Sequence, residues 1–174
     1  ALLAGFGLLV VRPVTASQSA LRLGQQQLLA HDLAGAEGQF RAATKLDLLA
    51  AEPWIELSRI QYVRWRGERG RAAEAQFGEA VRSLETAARL APSSLEPYRS
   101  KGELFEVRAE QDEQYWPRAI QSYRRCVEIY PTNATLHARL ANSLWQAGEQ
   151  EAARAEMTRA LELDALTPHS DKKL

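Results

Sequence analysis

The sequence is poor in residues that could hold a covalent or metal-based framework. Its 174 residues include one cysteine and one methionine, and aromatic residues make up 7% of the chain. A single cysteine excludes an intrachain disulfide framework and a zinc site built from several cysteines. Lys+Arg and Asp+Glu number 22 each. The basic excess typical of nucleic-acid-binding proteins is therefore missing, and we expect no nucleic-acid partner.

Recognisable catalytic motifs are missing as well. The histidines, His31, His137 and His169, lie far apart and none has the spacing of a metal-binding motif. The chain contains no Gly-rich phosphate loop and no nucleophile elbow. We therefore expect a chain that is not an enzyme, with no catalytic residue, no metal ligand and no cofactor.

The chain opens with an uncharged apolar run, residues 1–11, which is too short for a bilayer span of about 20 residues. We interpret residues 1–13 as the end of a transmembrane helix that Pro13 terminates. Two alternatives remain: the apolar part of a secretory signal with a cleavage site near residues 14–16, or a buried helix of the domain. The polar residues 167–174 are expected to form an exposed tail.

An internal repeat occupies the rest of the chain. Four segments carry an alanine, a bulky apolar residue four positions later, a small residue at offset seven and an apolar residue at offset ten. These offsets fall on one face of a helix. Two of the segments are followed by Pro92 and Pro131, which are expected to end their helices. The leading alanines are Ala36, Ala80, Ala119 and Ala153.

Each of these helices follows another predicted helix with a small residue at an equivalent position. We expect this small residue to face the leading alanine of the second helix, because antiparallel helices approach closely only where neither carries a large side chain. The longer early repeats indicate insertions around residues 66–71 and 111–114, which we expect to link helices. The small residues are Gly24, Ser58, Gly102 and Ala141.

The last repeat has a period of 34 residues. The sequence resembles the tetratricopeptide repeat (TPR) family in this period, in its two helices per unit and in the positions of its small, bulky and proline residues. The resemblance covers residues 17–166, with units of about 17–50, 51–94, 95–133 and 134–166. It implies an all-α, right-handed α-solenoid of about four helix pairs after the apolar helix end.

In that family the first helix of each pair lines a concave groove. The resemblance therefore implies a protein or peptide partner in the groove. The alternative is a solvated helical surface with incidental ion pairs. By family register the candidate groove residues are Glu52, Arg59, Tyr62, Glu96, Arg99, Glu103, Asn142 and Trp145.

Three other features have both a structural and a functional interpretation. Cys126 stands at a small buried position and His137 at an aromatic position of the repeat, so we expect both to pack inside the fold. The segment 64–71 holds four arginines and Trp65. It could contact phosphate, anionic lipid or RNA with Trp65 stacking, but the neutral chain favours a solvated loop between helices.

The whole layout resembles the C-terminal extension of bacterial O-antigen ligase and polymerase-like membrane proteins. The resemblance rests on Arg12-Pro13 before the repeats, on residues 130–134 and 161–164, and on the tail 168–174. It implies a non-catalytic tail of a polytopic inner-membrane protein in cell-envelope glycan assembly, on an undetermined side of the membrane and with the active site outside this chain. The alternative is a secreted or membrane-anchored TPR protein of envelope complex assembly that is unrelated to glycan transfer.

Overall fold

Eight α-helices and one short 3-10 helix form the part of the chain that the structure, a computed structural model, describes, residues 12–166. Consecutive helices pack as the pairs α1–α2, α3–α4, α5–α6 and α7–α8. The expected all-α fold of four helix pairs is therefore confirmed. The helices are α1 Arg12–Leu29, α2 Leu33–Leu46, α3 Glu52–Gly67, α4 Gly70–Leu90, α5 Leu95–Ala109, the 3-10 helix Glu113–Tyr115, α6 Trp116–Ile129, α7 Ala134–Gln146 and α8 Gln150–Leu166.

The chain divides into two compact units, residues 1–92 and 93–174. Unit 1 contains α1 to α4, and unit 2 contains α5 to α8. Each unit has its own core. Helices α1, α2 and α3 bury Leu21, Phe40 and Ile60 in one cluster. Helices α6, α7 and α8 share a second cluster, which includes the fully buried Tyr123.

The helix ends follow from local chemistry. The Asp32 side chain accepts a hydrogen bond from the Gly35 backbone N–H at 2.8 Å and begins α2. Helices α3 and α6 each carry a proline in their first turn, where no backbone donor is lost. Helices α4 and α6 end two residues before Pro92 and Pro131, as the sequence predicts.

The repeat positions form the buried stripes. All four leading alanines are at most 3% exposed. Two other stripe positions are half-exposed: Leu46 at the end of α2 is 40% exposed, and Met157 on α8 is 42% exposed. Within the described residues no further helix follows α8, so none of them covers its outer side.

Two of the small residues of the first helices, Gly24 and Gly102, lie against aromatic rings. A Cβ added to Gly24 would lie 2.5 Å from the Phe40 ring, and one added to Gly102 would lie 2.7 Å from the Tyr123 ring. Both rings are fully buried. At these two positions the nearest side chain is the bulky ring that follows four residues after the alanine, and it lies against the glycine backbone.

The first insertion also differs from expectation. Helix α3 extends to Gly67 and α4 begins at Gly70, so only Glu68 and Arg69 connect them. Most of the inserted residues lengthen the helices instead of forming a loop. The second insertion leads into the short 3-10 helix, after which the buried Trp116 begins α6.

The predicted apolar segment and the predicted tail lie mostly outside the described residues, which exclude 1–11 and 167–174. Among the described residues, Pro13 lies in the first turn of α1, which also includes residues 14–16. Buried Ser17 ties α1 to α2 by donating to the Ala43 carbonyl at 3.1 Å. Among residues 12–166, no helix has the length and apolar character that crossing a membrane requires.

Candidate functional site

Three candidate residues of unit 2, Glu96, Arg99 and Glu103, form an ordered ion-pair network on the exposed face of α5. Arg99 donates to both carboxylate oxygens of Glu96, at 2.8 and 2.7 Å, and to Glu103 at 2.9 Å. Each of these three side chains is about one-third exposed. Arg139 on α7 approaches Glu103 at 3.7 Å. The side chains of Glu96, Arg99 and Glu103 are thus held in fixed orientations by one another, and the charge of Arg99 is already paired with these two carboxylates.

Glu106 joins three helices and was not predicted from the sequence. Its carboxylate accepts from the Tyr123 hydroxyl at 2.6 Å, from Arg139 at 3.2 Å and from the predicted residue Asn142 at 3.3 Å. Burial, and then the hydrogen bond to the Glu106 side chain, raises the pKa of Tyr123 above its ordinary value. Tyr123 therefore stays a neutral hydrogen-bond donor and holds the Glu106 carboxylate in place.

A cavity of about 570 Å³, here called the acidic cavity, opens beside this network within unit 2. Its charged lining consists of three glutamates and one arginine, so it carries a negative excess. Trp145, 53% exposed, lies one turn after Asn142 on the same helix. The acidic cavity is lined by Glu106, Val107, Ala109, Glu110, Glu113, Trp116, Arg139, Asn142 and Gln146.

The candidate residues of unit 1 are less closely connected. Glu52 is exposed in the first turn of α3. Arg59 donates to Glu56 at 2.8 Å on the same helix. The half-buried Tyr62 packs edge-on against Trp65, with ring centroids 5.8 Å apart. In the described part of the chain, the partners found for Arg59 and Tyr62 are thus Glu56 and Trp65 rather than other predicted residues.

The arginine-rich segment does not present Trp65 for stacking. Trp65 is only 4% exposed and packs against Phe77 with ring centroids 5.2 Å apart. Arg64 is paired with Glu37 at 2.6 Å. The phosphate or RNA interpretation therefore loses its aromatic contact, and the segment joins α3 to α4 structurally.

Cys126 and His137 are interior residues, as their repeat positions predict. Cys126 is fully buried, and this burial raises the pKa of its thiol to about 12. His137 lies 2.6 Å from Glu156 through Nδ1 and 3.0 Å from the Pro131 carbonyl through Nε2. Burial of Cys126, and the hydrogen bonds of His137 through both ring nitrogens, are typical of residues that stabilise a fold rather than of a nucleophile or a metal ligand.

Comparison with known proteins agrees with this geometry. Residues 134–165, which cover α7 and most of α8, match the family model described as tetratricopeptide repeat. The chain carries a tetratricopeptide repeat. A search of curated proteins gave no significant match. The remaining TPR evidence comes from solved structures.

Two crystal structures of MamA are similar to this chain. One has a TM-score of 0.68 at 18% identity and covers 86% of this chain and 79% of that chain. The other has a TM-score of 0.71 at 16% identity, covering 91% and 78%. TTC0263, a thermophilic TPR protein of Thermus thermophilus, gives 0.61 at 22% identity, covering 86% and 75%. At these identities the likeness shows the TPR fold alone.

Proposed function

We propose that this chain is a non-catalytic protein-interaction module that binds a partner segment on the exposed faces of its first helices. The observation that carries the proposal is the ordered network of α5, α6 and α7 around Glu106. The Glu106 carboxylate is held in one conformation by hydrogen bonds from Tyr123, Arg139 and Asn142 in the protein without a partner. Such preorganised polar groups lower the entropic cost of binding.

The charge of the acidic cavity supports a partner segment that carries lysine or arginine. Glu110 and Glu113 have no ion-pair partner among the described residues, and Glu106 has only Arg139 as a cationic partner. A basic side chain entering the cavity would meet this negative excess. The half-exposed Trp145 supplies apolar contact area next to it, as aromatic residues do in many interfaces.

The burial of the single cysteine supports the non-catalytic part of the proposal. Cys126 is fully buried, and its thiol has a pKa of about 12. It is therefore protonated near neutral pH and out of reach of a substrate.

We further propose that the module is the tail of a polytopic bacterial inner-membrane protein of the O-antigen ligase-like kind. This context rests on the resemblance of layout and on the apolar residues 1–11. The alternative is a secreted or membrane-anchored TPR protein of envelope complex assembly. The gene sequence upstream of Ala1 distinguishes the two, since many hydrophobic spans favour the first and a short basic start favours the second.

Site-specific photocrosslinking tests the binding role. A photoreactive amino acid is placed at Trp145 on α7 or at Leu161 on α8, which is 64% exposed and serves as the control. We expect a defined adduct from position 145 and none from 161. Equal labelling from both positions, or labelling from 161 alone, would overturn the proposed binding face.

A further inference from the structure

A second cavity, here called the basic cavity, lies within unit 1 and has a volume of about 640 Å³. It is formed by α2, the loop after it, α3 and α4, and none of the candidate groove residues lines it. Its lining residues are Arg41, Thr44, Lys45, Leu48, Trp54, Leu57, Gln61, Glu79, Arg82, Ser83 and Thr86.

The basic cavity opens on the side of α3 opposite to Glu52. Successive helical residues are rotated by about 100°, which places Trp54, Leu57 and Gln61 roughly 140–200° from Glu52 around the helix axis. Arg59 lies roughly 20° from Glu52 by the same measure. A ligand in this cavity would therefore contact a different surface from a partner bound on the first-helix face.

The charges of the basic cavity are unbalanced. Lys45 and Arg82 are both exposed, and neither has a carboxylate partner among the described residues. Arg41 is paired with Glu37 at 2.6 Å and is 3.9 Å from Glu79, the one acidic residue of the lining. Two cations of this cavity thus remain available to an anionic ligand.

The cavity also has an apolar wall and a fixed polar floor. Trp54 is half-buried, Leu57 is 3% exposed, and Leu48 stands 73% exposed at the edge. On the floor, the buried Ser83 hydroxyl donates to the buried Gln61 side chain at 2.8 Å. A ligand that matches these surroundings combines negative charge with an apolar side chain.

We propose that the basic cavity is a docking site for an acidic peptide segment of a partner protein. Its carboxylates pair with Lys45 and Arg82, and one of its apolar side chains packs against Trp54 and Leu57. Charge complementarity and the apolar wall together favour a peptide over a purely polar anion. The acidic cavity of unit 2 and the basic cavity of unit 1 thus have opposite charge preferences.

Fluorescence anisotropy of the full chain with defined peptides tests this site. The probe is a labelled peptide of about twelve residues, roughly 40 Å when extended, with several Asp or Glu residues around a central Leu. A matched peptide carries Asn and Gln instead. We expect saturable binding of the acidic peptide, at least tenfold weaker binding of the neutral one, and about tenfold loss on Lys45→Ala with Arg82→Ala.

The matched control variant removes two exposed arginines outside the cavity, Arg22 on α1 and Arg71 on α4, and so lowers the net charge equally. It should keep the wild-type affinity. Equal losses in both double variants, or equal binding of the neutral peptide, would overturn the proposal. Inorganic polyphosphate or phosphatidylglycerol vesicles that bind as tightly, with the same dependence on Lys45 and Arg82, would also overturn the peptide as occupant.

A second readout locates the bound peptide without relying on a variant. The indole N–H signal of Trp54, assigned with Trp54→Phe, should shift in the NMR spectrum on titration with the acidic peptide. The signal of Trp145, on α7 in unit 2, should stay in place. A shift of Trp145 with an unchanged Trp54 would contradict docking in the basic cavity.

Discussion

Replacing Gly24 by alanine tests how the first helix pair is packed. A Cβ at this position would lie 2.5, 2.8 and 3.0 Å from three carbon atoms of the Phe40 ring. Ordinary contacts between carbon atoms are about 3.5–4.0 Å, so the ring or α1 must move by about 1 Å. Phe40 is fully buried and packs with Leu21 and Ile60, so the ring has no free space to enter.

Two opposing terms set the size of the effect of Gly24→Ala. Alanine is favoured over glycine inside a helix by about 1 kcal/mol. Forcing an extra methyl group into a packed core costs about 1–3 kcal/mol. We therefore expect the free energy of unfolding to fall by about 1 kcal/mol. Gly38→Ala on α2 is the matched control, because a Cβ there meets nothing within 4 Å and only the helix gain of about 1 kcal/mol remains.

Urea unfolding followed by circular dichroism measures both variants. The predicted difference between them is about 2 kcal/mol, with Gly38→Ala above the wild type and Gly24→Ala below it. In thermal melts, a change of about 1 kcal/mol in the free energy of unfolding corresponds to a shift of about 2–4 °C in melting temperature for a chain of this size. If Gly24→Ala stabilised the protein as much as Gly38→Ala does, the close approach of α1 to Phe40 would be refuted.

Three other predictions concern buried polar groups. Burial raises the pKa of the Cys126 thiol to about 12, so this thiol should react with a thiol reagent at pH 8 only in the unfolded protein, and rapid labelling of the native protein would contradict this. The folded state keeps the thiol proton to higher pH than the unfolded state does. The contribution of this proton to the free energy of unfolding should therefore be lost as the pH rises from about 9 to 12. Tyr123→Phe keeps the ring but removes the hydroxyl that donates to Glu106, so urea unfolding should show a free energy of unfolding lower by about 1–2 kcal/mol. An unchanged free energy would show that this hydrogen bond does not stabilise the fold. His137→Ala should lower the free energy of unfolding by about 2–4 kcal/mol in the same assay, because it opens a buried space and removes the His137 partner of the Glu156 carboxylate. An unchanged free energy of unfolding would refute the structural role of His137.

The helix pairs could be predicted from the sequence because one kind of position repeats. The leading alanines are buried wherever the pattern places them, including Ala36 and Ala153, 117 residues apart in the chain. A small residue at this position is required locally, by the distance between two helices, and does not depend on distant parts of the chain. The helix ends near Pro92 and Pro131 could also be predicted locally, because a proline disfavours helix in the residue before it.

The polar contacts between helices could not be predicted in this way. Glu106 lies 33 residues before Arg139 and 17 before Tyr123, and only the packing of α5, α6 and α7 brings them together. No spacing rule relates positions on different helices. The ring that covers Gly24 was missed for a similar reason, because a repeat pattern gives the face of a residue but not the direction of a long side chain.

The most direct measurement of the central claim is the affinity between the full chain and the partner identified by crosslinking at position 145. Isothermal titration compares the wild type with Asn142→Ala combined with Trp145→Ala, both exposed side chains on α7. The account predicts at least a tenfold weaker affinity with an unchanged melting temperature. An affinity equal to that of the wild type would contradict binding on the first-helix face of unit 2.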